Sequence, residues 1–378
     1  MTKLSEIKQA GVTIVELMVA MLLALILSGG LFYMMSGQTK AYETQLTTLT
    51  TQENLWGAMS YLQRQIRMAG YGFAGCSGGE ILQYNGRSPF SAITIYNDCN
   101  LYQHNPVDCS GDGVDSLSVT YAATGDNGGG SRRITKEMPT PSSTAFVSSA
   151  DFVENDYILF WQPGTTKGCV LLQLTQDPVE QPQQDRWKLN FNPSSPYNVP
   201  GDKFPNGGYG VGARVLRFGI NSKPRHFAID NSVDPPRLVT WTSSNSNPSY
   251  AAASLASQAD ADSLEVVAEG IEDLQISAAC SVGGAGFQEG VDHTSKQADN
   301  WAYNVDNDYT PNCIGLNGVT GSAAILVVRI TLVARSASEE SQGSAKEVYP
   351  VAEDRAAPLS DRYARASLTS TVQPRNLR

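Results

Sequence analysis

The longest apolar segment of the chain lies near its N-terminus and runs from Val12 to Met35. In a helix that rises 1.5 Å per residue, these residues extend roughly 36 Å, which exceeds the roughly 30 Å hydrocarbon core of a bilayer. A cleavable secretory signal has an apolar stretch of about 7–15 residues followed by a small-residue cut site, and no such site follows this run. The sequence therefore predicts a single membrane-spanning helix.

Charges flank this segment unevenly. Lys3 and Lys8 precede it, Glu16 is the one charge inside it, and Lys40 follows it. Because positive charge favours the cytoplasmic side, we expect a cytoplasmic N-terminus and a periplasmic body. The N-terminal region 1–11 ends in a small pair, Ala10-Gly11, placed before the apolar run.

Glu16 raises the question of how a carboxylate is tolerated in an apolar helix, since a charge there costs at least about 2.5–3.5 kcal/mol. A cut after Gly11 would create an amine on Val12, four residues before Glu16 and one helical turn away. The carboxylate could then pair with its own amine, or with that of a neighbouring subunit. The alternative is an uncut anchor in which Glu16 lies at the level of the lipid headgroups.

The stretch "GVTIVELMVAMLLALIL" resembles the N-terminal motif of the type IV prepilin superfamily. That motif has a glycine, a hydrophobic residue that is commonly Phe, and then Thr-Leu-Ile-Glu-Leu; this chain has Val12 and the pair Ile14-Val15 as conservative changes. The resemblance implies that prepilin peptidase cuts after Gly11. It also implies that Val12 becomes N-methylated and that Glu16 acts in subunit assembly.

The apolar run continues into an amphipathic pattern with apolar residues at three- and four-residue steps or their multiples, namely Leu46, Leu49, Leu55, Met59, Leu62, Ile66 and Ala69. This period predicts one helix from 13 to 69, and Gly70 is a natural stop. Segments rich in β-branched and aromatic residues follow, at 115–123, 156–162, 168–176, 187–191, 213–220 and 324–336. The predicted fold class is α+β, with a long helix packed on antiparallel sheet. The predicted domains are a leader (1–11), a helix (12–70) and a periplasmic β-rich body (71–378).

Six cysteines follow the apolar run: Cys76, Cys99, Cys109, Cys169, Cys280 and Cys313. An even number without a CxxC pair favours disulfides over a zinc site, and disulfides fit an oxidising compartment. Of the 15 possible pairings, short closures at Cys99–Cys109 and Cys280–Cys313 would leave Cys76–Cys169. Six buried free thiols are the alternative.

No pattern of catalytic residues is present. The three histidines, His104, His226 and His293, stand in unrelated contexts, and no nucleotide-binding fingerprint occurs. The acidic loop "NVDNDYTP" makes Asp306 and Asp308 weak calcium candidates. We expect neither an enzyme nor a bound cofactor. The net charge of −10 disfavours direct nucleic-acid binding.

Further stretches resemble PilW-type minor pilins of type IV pili. These are "LQRQIRMAGYGFAGC" at the helix exit, the strands "DGVDSLSVTYA" and "GIEDLQISAAC", and the C-terminal "ILVVRITLVARS" and "DRYARASLTSTVQPRNLR". The resemblance implies a minor pilin of the tip or priming complex. It would support pilus biogenesis, adhesion, twitching motility and DNA uptake, residing in the inner membrane first and in the surface pilus after assembly. The implied partners are other minor pilins, the major pilin, the assembly platform, prepilin peptidase and a tip adhesin.

Two other functions fit parts of the sequence. A pseudopilin of type II secretion shares the same N-terminus, although the RMAGY exit and the Arg-Asn tail favour the pilus. A membrane-anchored periplasmic enzyme or binding protein would need a convergent polar site, and none is recognisable. Such a protein would also retain residues 1–11.

Overall fold

The computed structural model describes residues 13–71, 80–82, 90–97, 113–121, 131–140, 142–165, 167–192, 198, 204, 207–217, 225–242, 264–280, 301–302, 325–339, 346–347, 360–361 and 363–375. It has the α+β class that the sequence predicts, with one long N-terminal helix, α1 (Ile14–Met68), and a body rich in antiparallel sheet. The chain divides into two compact units, one up to Thr50 and one from Thr51 onward.

The helix ends where the sequence predicts. The N–H of Ala69 still bonds the carbonyl of Gln65, and Gly70 then adopts a φ of +71°, the left-handed conformation that stops helices. The N–H of Gly70 donates to the carbonyl of Thr120 instead, which ties the helix exit to a strand end. The observed helix lies within the predicted range 12–70, and the predicted domain boundaries themselves stay a prediction.

The strands follow in chain order: β1 (Glu80–Leu82), β2 (Phe90–Ser91), β3 (Ile93–Tyr96), β4 (Ser116–Val119), β5 (Arg132–Arg133), β6 (Thr144–Val147), β7 (Tyr157–Trp161), β8 (Cys169–Gln173), β9 (Val179–Gln181), β10 (Arg186–Asn190), β11 (Arg214–Arg217), β12 (Arg225–Asp230), β13 (Arg237–Thr242), β14 (Glu265–Glu269), β15 (Ile271–Cys280), β16 (Trp301–Ala302), β17 (Ile325–Glu339), β18 (Lys346–Glu347), β19 (Ser360–Asp361) and β20 (Tyr363–Val372). A short 3-10 turn, Pro182–Gln184, joins β9 to β10.

These strands form five sheets. Their orders are β2-β1-β8-β7-β11-β5, β6-β10-β9, β14-β13-β12-β4-β3, β16-β15-β17-β20 and β18-β19. Every pairing is antiparallel except that of β1 with β8. Each predicted strand, at 115–123, 156–162, 168–176, 187–191, 213–220 and 324–336, overlaps an observed strand.

The first hydrophobic core lies between the C-terminal half of α1 and the sheets. Its helix residues repeat at three- and four-residue steps and are Leu55, Ala58, Met59, Leu62, Ile66 and Ala69. The long strand β17 contributes Val328, Ile330, Leu332 and Ala334, which alternate along the strand and therefore share one face. Burial of each large aliphatic side chain contributes about 1.5–3 kcal/mol, so this seam stabilises the junction of helix and sheet.

Leu46 and Leu49 differ from the prediction. The periodicity places them in the same stripe as Leu55, but they are 52% and 62% exposed. The period of a helix identifies an apolar face without identifying what covers it.

A second hydrophobic core lies within residues 134–215 and is separate from the first. Strand β7 separates the two cores: Tyr157, Leu159 and Trp161 face the first, while Ile158 and Phe160 face the second. The segments around β5, β6, β10 and β11 close over the second core. We call this part of the body the inserted subdomain (131–217).

Candidate functional site

The N-terminus of α1 is capped by its own residues. The Oγ1 of Thr13 accepts a hydrogen bond from the N–H of Glu16 at 3.3 Å, and the N–H of Leu17 donates to the carbonyl of Thr13 at 3.1 Å. Thr13 therefore occupies the N-cap, and Glu16 lies at the third helical position, the arrangement Thr-x-x-Glu of a capping box. The negative charge of Glu16 also interacts favourably with the positive end of the helix dipole.

This cap is a feature that the sequence prediction missed. The motif Thr13-x-x-Glu16 at the start of the apolar run is the pattern that identifies such a cap. Glu16 thus has a local structural role available to it in addition to a role between subunits. Any test of its assembly role has to separate its charge from its capping capacity.

The apolar run of the helix is uncovered. Every residue from Ile14 to Met35 is exposed, including Phe32 and Tyr33, at 79% and 85%. Among the described residues, α1 is the one helix long and apolar enough to cross a bilayer. Such a surface requires lipid or other apolar helices around it, since exposed apolar patches of this size are not stable in water. Together with its cap, this helix is the candidate functional site.

A threonine-rich segment follows the apolar run. The hydroxyls of Thr39, Thr44, Thr47, Thr48 and Thr50 each donate to the carbonyl four residues earlier, at 2.9–3.0 Å. These bonds satisfy the hydroxyl protons within the helix itself. The segment can therefore leave the hydrocarbon, or lie against another helix, without unpaired donors.

The predicted processing residues lie outside the described part of the chain. Gly11 and Val12 precede Thr13, the first described residue, so the cut and the methylation stay predictions. Glu16 lies in the first turn of α1 with its side chain exposed.

Among the predicted disulfide residues, Cys169 is described in full. It lies at the start of β8, is fully buried in the first core and takes part in a disulfide. Cys280 is the last residue of β15. Cys76, Cys99, Cys109 and Cys313 lie outside the described residues, so the partner of Cys169 and the pairing scheme stay predictions.

The calcium candidates Asp306 and Asp308, and two of the histidines, His104 and His293, also lie outside the described residues. Within the described ranges, no group of three or more His, Cys, Asp or Glu side chains is placed to hold a metal ion.

His226 is a buried core histidine on β12. Its Nδ1 lies 2.5 Å from the Oγ of Ser118 on β4, and its ring lies 5.3 Å from that of Trp241 on β13. Burial lowers the pKa of His226 to about 3, so the ring is neutral at physiological pH. With no exposure to solvent, it has no route to a substrate.

Two family models match the ends of the chain. Residues 238–376, from β13 through β20, match Type IV Pilus-assembly protein W, and residues 7–32 match the prokaryotic N-terminal methylation motif. No curated protein and no solved structure matches the chain. The methylation motif covers Gly11, Val12 and Glu16. The two matches confirm the resemblance of this chain to the type IV prepilin superfamily and to its PilW-type minor pilins.

Proposed function

We propose that this chain is a minor pilin that co-assembles into the tip or priming complex of a type IV pilus. The observation that carries the proposal is the uncovered apolar run of α1, which contains a single carboxylate, Glu16, one turn after the predicted cut at Gly11. The match of residues 238–376 to a pilus-assembly family favours the pilus over a type II secretion pseudopilin.

The proposed processing converts a membrane anchor into an assembly helix. Removal of residues 1–11 leaves the N-methylated amine of Val12 as a cation, while Glu16 carries the one negative charge of the apolar run. A charge in hydrocarbon is costly unless it is paired, so the carboxylate of one subunit is stabilised by the amine of the next. An ion pair of this kind fixes the axial register between neighbouring helices.

The body is proposed to act through surfaces and without a catalytic step. Its partners are other minor pilins, the major pilin, the assembly platform and a tip adhesin, and prepilin peptidase acts on its N-terminus. The proposed location is the inner membrane, with the body in the periplasm, followed by the pilus. Loss of the protein would then reduce surface pili, and with them adhesion, twitching and DNA uptake.

The test separates the charge of Glu16 from its capping role. Glu16→Gln removes the charge but keeps a side chain that can complete a capping box, whereas Thr13→Ala removes the N-cap oxygen and keeps the charge. Each variant complements a deletion strain, and processing, membrane insertion and surface pili are measured. We expect Glu16→Gln and Glu16→Ala to be cleaved and inserted but to fail in assembly, while Thr13→Ala assembles.

Two outcomes would overturn the proposal. Normal piliation with Glu16→Gln would show that the carboxylate is not needed for docking. Undiminished pili in the deletion strain itself would exclude the tip or priming role.

A further inference from the structure

The inserted subdomain lies outside both family matches and has its own core. Its outer surface carries five basic side chains, which we call the basic face: Arg133, Lys136, Arg186, Lys188 and Arg214. The residues come from three separate stretches of sequence, so their proximity is a property of the fold.

Strand register places these side chains on one side of the subdomain. Ile134 pairs with Val147, and both point into the second core, so the neighbouring Arg133 points outward. Arg214 lies directly opposite Arg133 on the adjacent strand. Residues directly opposite each other share a face, so both arginines project outward together.

The other three cations surround Phe146, which also points away from the second core. Lys188 lies opposite Phe146 on β10. The guanidinium of Arg186 lies 4.1 Å from the centre of the Phe146 ring, and the ammonium of Lys136 lies 5.3 Å from it. These cation–π contacts hold the side chains in place while leaving their charges unneutralised.

The basic face has no acidic partner among the described residues, in contrast to arginines elsewhere in the body. Ion pairs join Arg132 to Asp151, Arg217 to Asp156, Arg225 to Glu265, Arg237 to Asp230, Arg335 to Asp234 and Glu272, and Arg365 to Glu272. On the basic face, Arg186 donates its Nε–H to the amide oxygen of Gln181 at 2.9 Å. Glu180 lies directly opposite Trp187, which packs against the second core. The side chain of Glu180 therefore lies on the face of the sheet opposite to the basic face.

The pairing of Arg133 with Arg214 on neighbouring strands is electrostatically unfavourable. Like charges directly opposite on neighbouring strands destabilise a sheet, yet Arg133 faces Arg214. The chain as a whole carries a net charge of −10, yet the basic face brings five cations together with no acidic partner among the described residues, and an anion would relieve their repulsion. Charge complementarity thus requires an anionic occupant.

The residues between the cations indicate which anionic polymer fits. A hydroxyl and an amide side chain, both partly exposed, lie on the same face: Thr144 is two residues from Phe146 on β6, and Gln181 lies opposite Arg186 on β9. Such groups hydrogen-bond sugar hydroxyls, and arginine forks match carboxylates. The Phe146 ring already contacts two cations, which disfavours stacking of nucleic-acid bases on it.

We propose that the basic face binds an acidic polysaccharide, through carboxylates on its cations and hydroxyls on the intervening polar side chains. Adjacent strands are about 4.8 Å apart, so the face from β11 to β10 spans roughly 14 Å, enough for several sugar units of an extended chain. The binding site would belong to the inserted subdomain and does not rest on assembly of the chain into a pilus.

The test uses the full-length chain in detergent and polygalacturonate as the probe, with dextran as a neutral polymer and single-stranded DNA as a phosphate polymer. The double variant Arg133→Gln/Lys188→Gln removes two cations of the basic face. The matched control, Arg64→Gln/Arg375→Gln, removes two exposed cations elsewhere. Both change the net charge from −10 to −12.

We expect the wild type to bind polygalacturonate and not dextran, with at least about tenfold weaker binding in the basic-face variant and little change in the control, because charge-assisted hydrogen bonds are the strong ones. Lys136→Gln, at an exposed position, should weaken binding by a smaller factor and tests the same face if the double variant fails to fold. Absent binding, equal losses in both double variants, or tighter binding to DNA would overturn the inference.

Discussion

Acidification should destabilise the body through His226, because this histidine is buried and neutral in the folded protein. It is fully buried between Ser118 and Trp241, and its pKa is lowered to about 3. In the unfolded chain a histidine titrates near about 6.5. The unfolded state therefore binds a proton below that pH, while the folded state does not.

The sign and size of the effect follow from this difference. The contribution of neutral His226 to the free energy of unfolding is fully present above about pH 6.5. It falls as the pH decreases toward about 3, because the unfolded chain then binds a proton that the folded protein does not. Each pH unit within that window is worth about 1.36 kcal/mol, so a change from pH 7.5 to pH 5 removes about 2 kcal/mol of unfolding free energy.

The assay compares denaturant unfolding of the wild type and of His226→Gln at both pH values. The variant has its own stability at pH 7.5, so the measured quantity is the loss on acidification in each protein. We expect the wild type to lose about 2 kcal/mol more than the variant. Equal losses would refute the reasoning, because the carboxylates common to both proteins would then account for the whole pH dependence.

Two further predictions concern packing. Leu62→Ala, at a position with 0% exposure, should cost about 2–5 kcal/mol in denaturant unfolding. Leu49→Ala on the same helix is 62% exposed and should cost less than about 0.5 kcal/mol. Gly208→Ala should open the inserted subdomain to limited proteolysis, because Gly208 has a φ of +60° and a Cβ there would overlap the Met138 carbonyl oxygen. Gly164→Ala, with a φ of +74° but open space around it, should cost only about 1–3 kcal/mol of backbone strain and leave the subdomain resistant.

The helix and the long strands could be predicted because their patterns are local. An unbroken apolar run, a three- and four-residue repeat and Gly70 specify α1, and alternation specifies β17. The N-cap at Thr13 was equally local, since Thr-x-x-Glu identifies it.

The second core and the basic face could not be predicted because both depend on contacts between distant segments. All five residues of β7 are buried, and a continuous apolar run does not reveal that its two faces belong to different cores. Arg132 and Arg133 follow a glycine-rich stretch, "GDNGGGS", whose composition is typical of a loop, but pairing with β11 makes them a strand. Lys136 and Arg186 are 50 residues apart and meet only through the ring of Phe146.

The proposed function requires that the N-terminal stretch is first a substrate for processing and then an assembly helix. The intact mass of the protein purified from the membranes of the cells that make it tests this most directly. We predict the mass of residues 12–378 carrying one additional methyl group. The mass of the full 378-residue chain with Met1 retained would contradict the account.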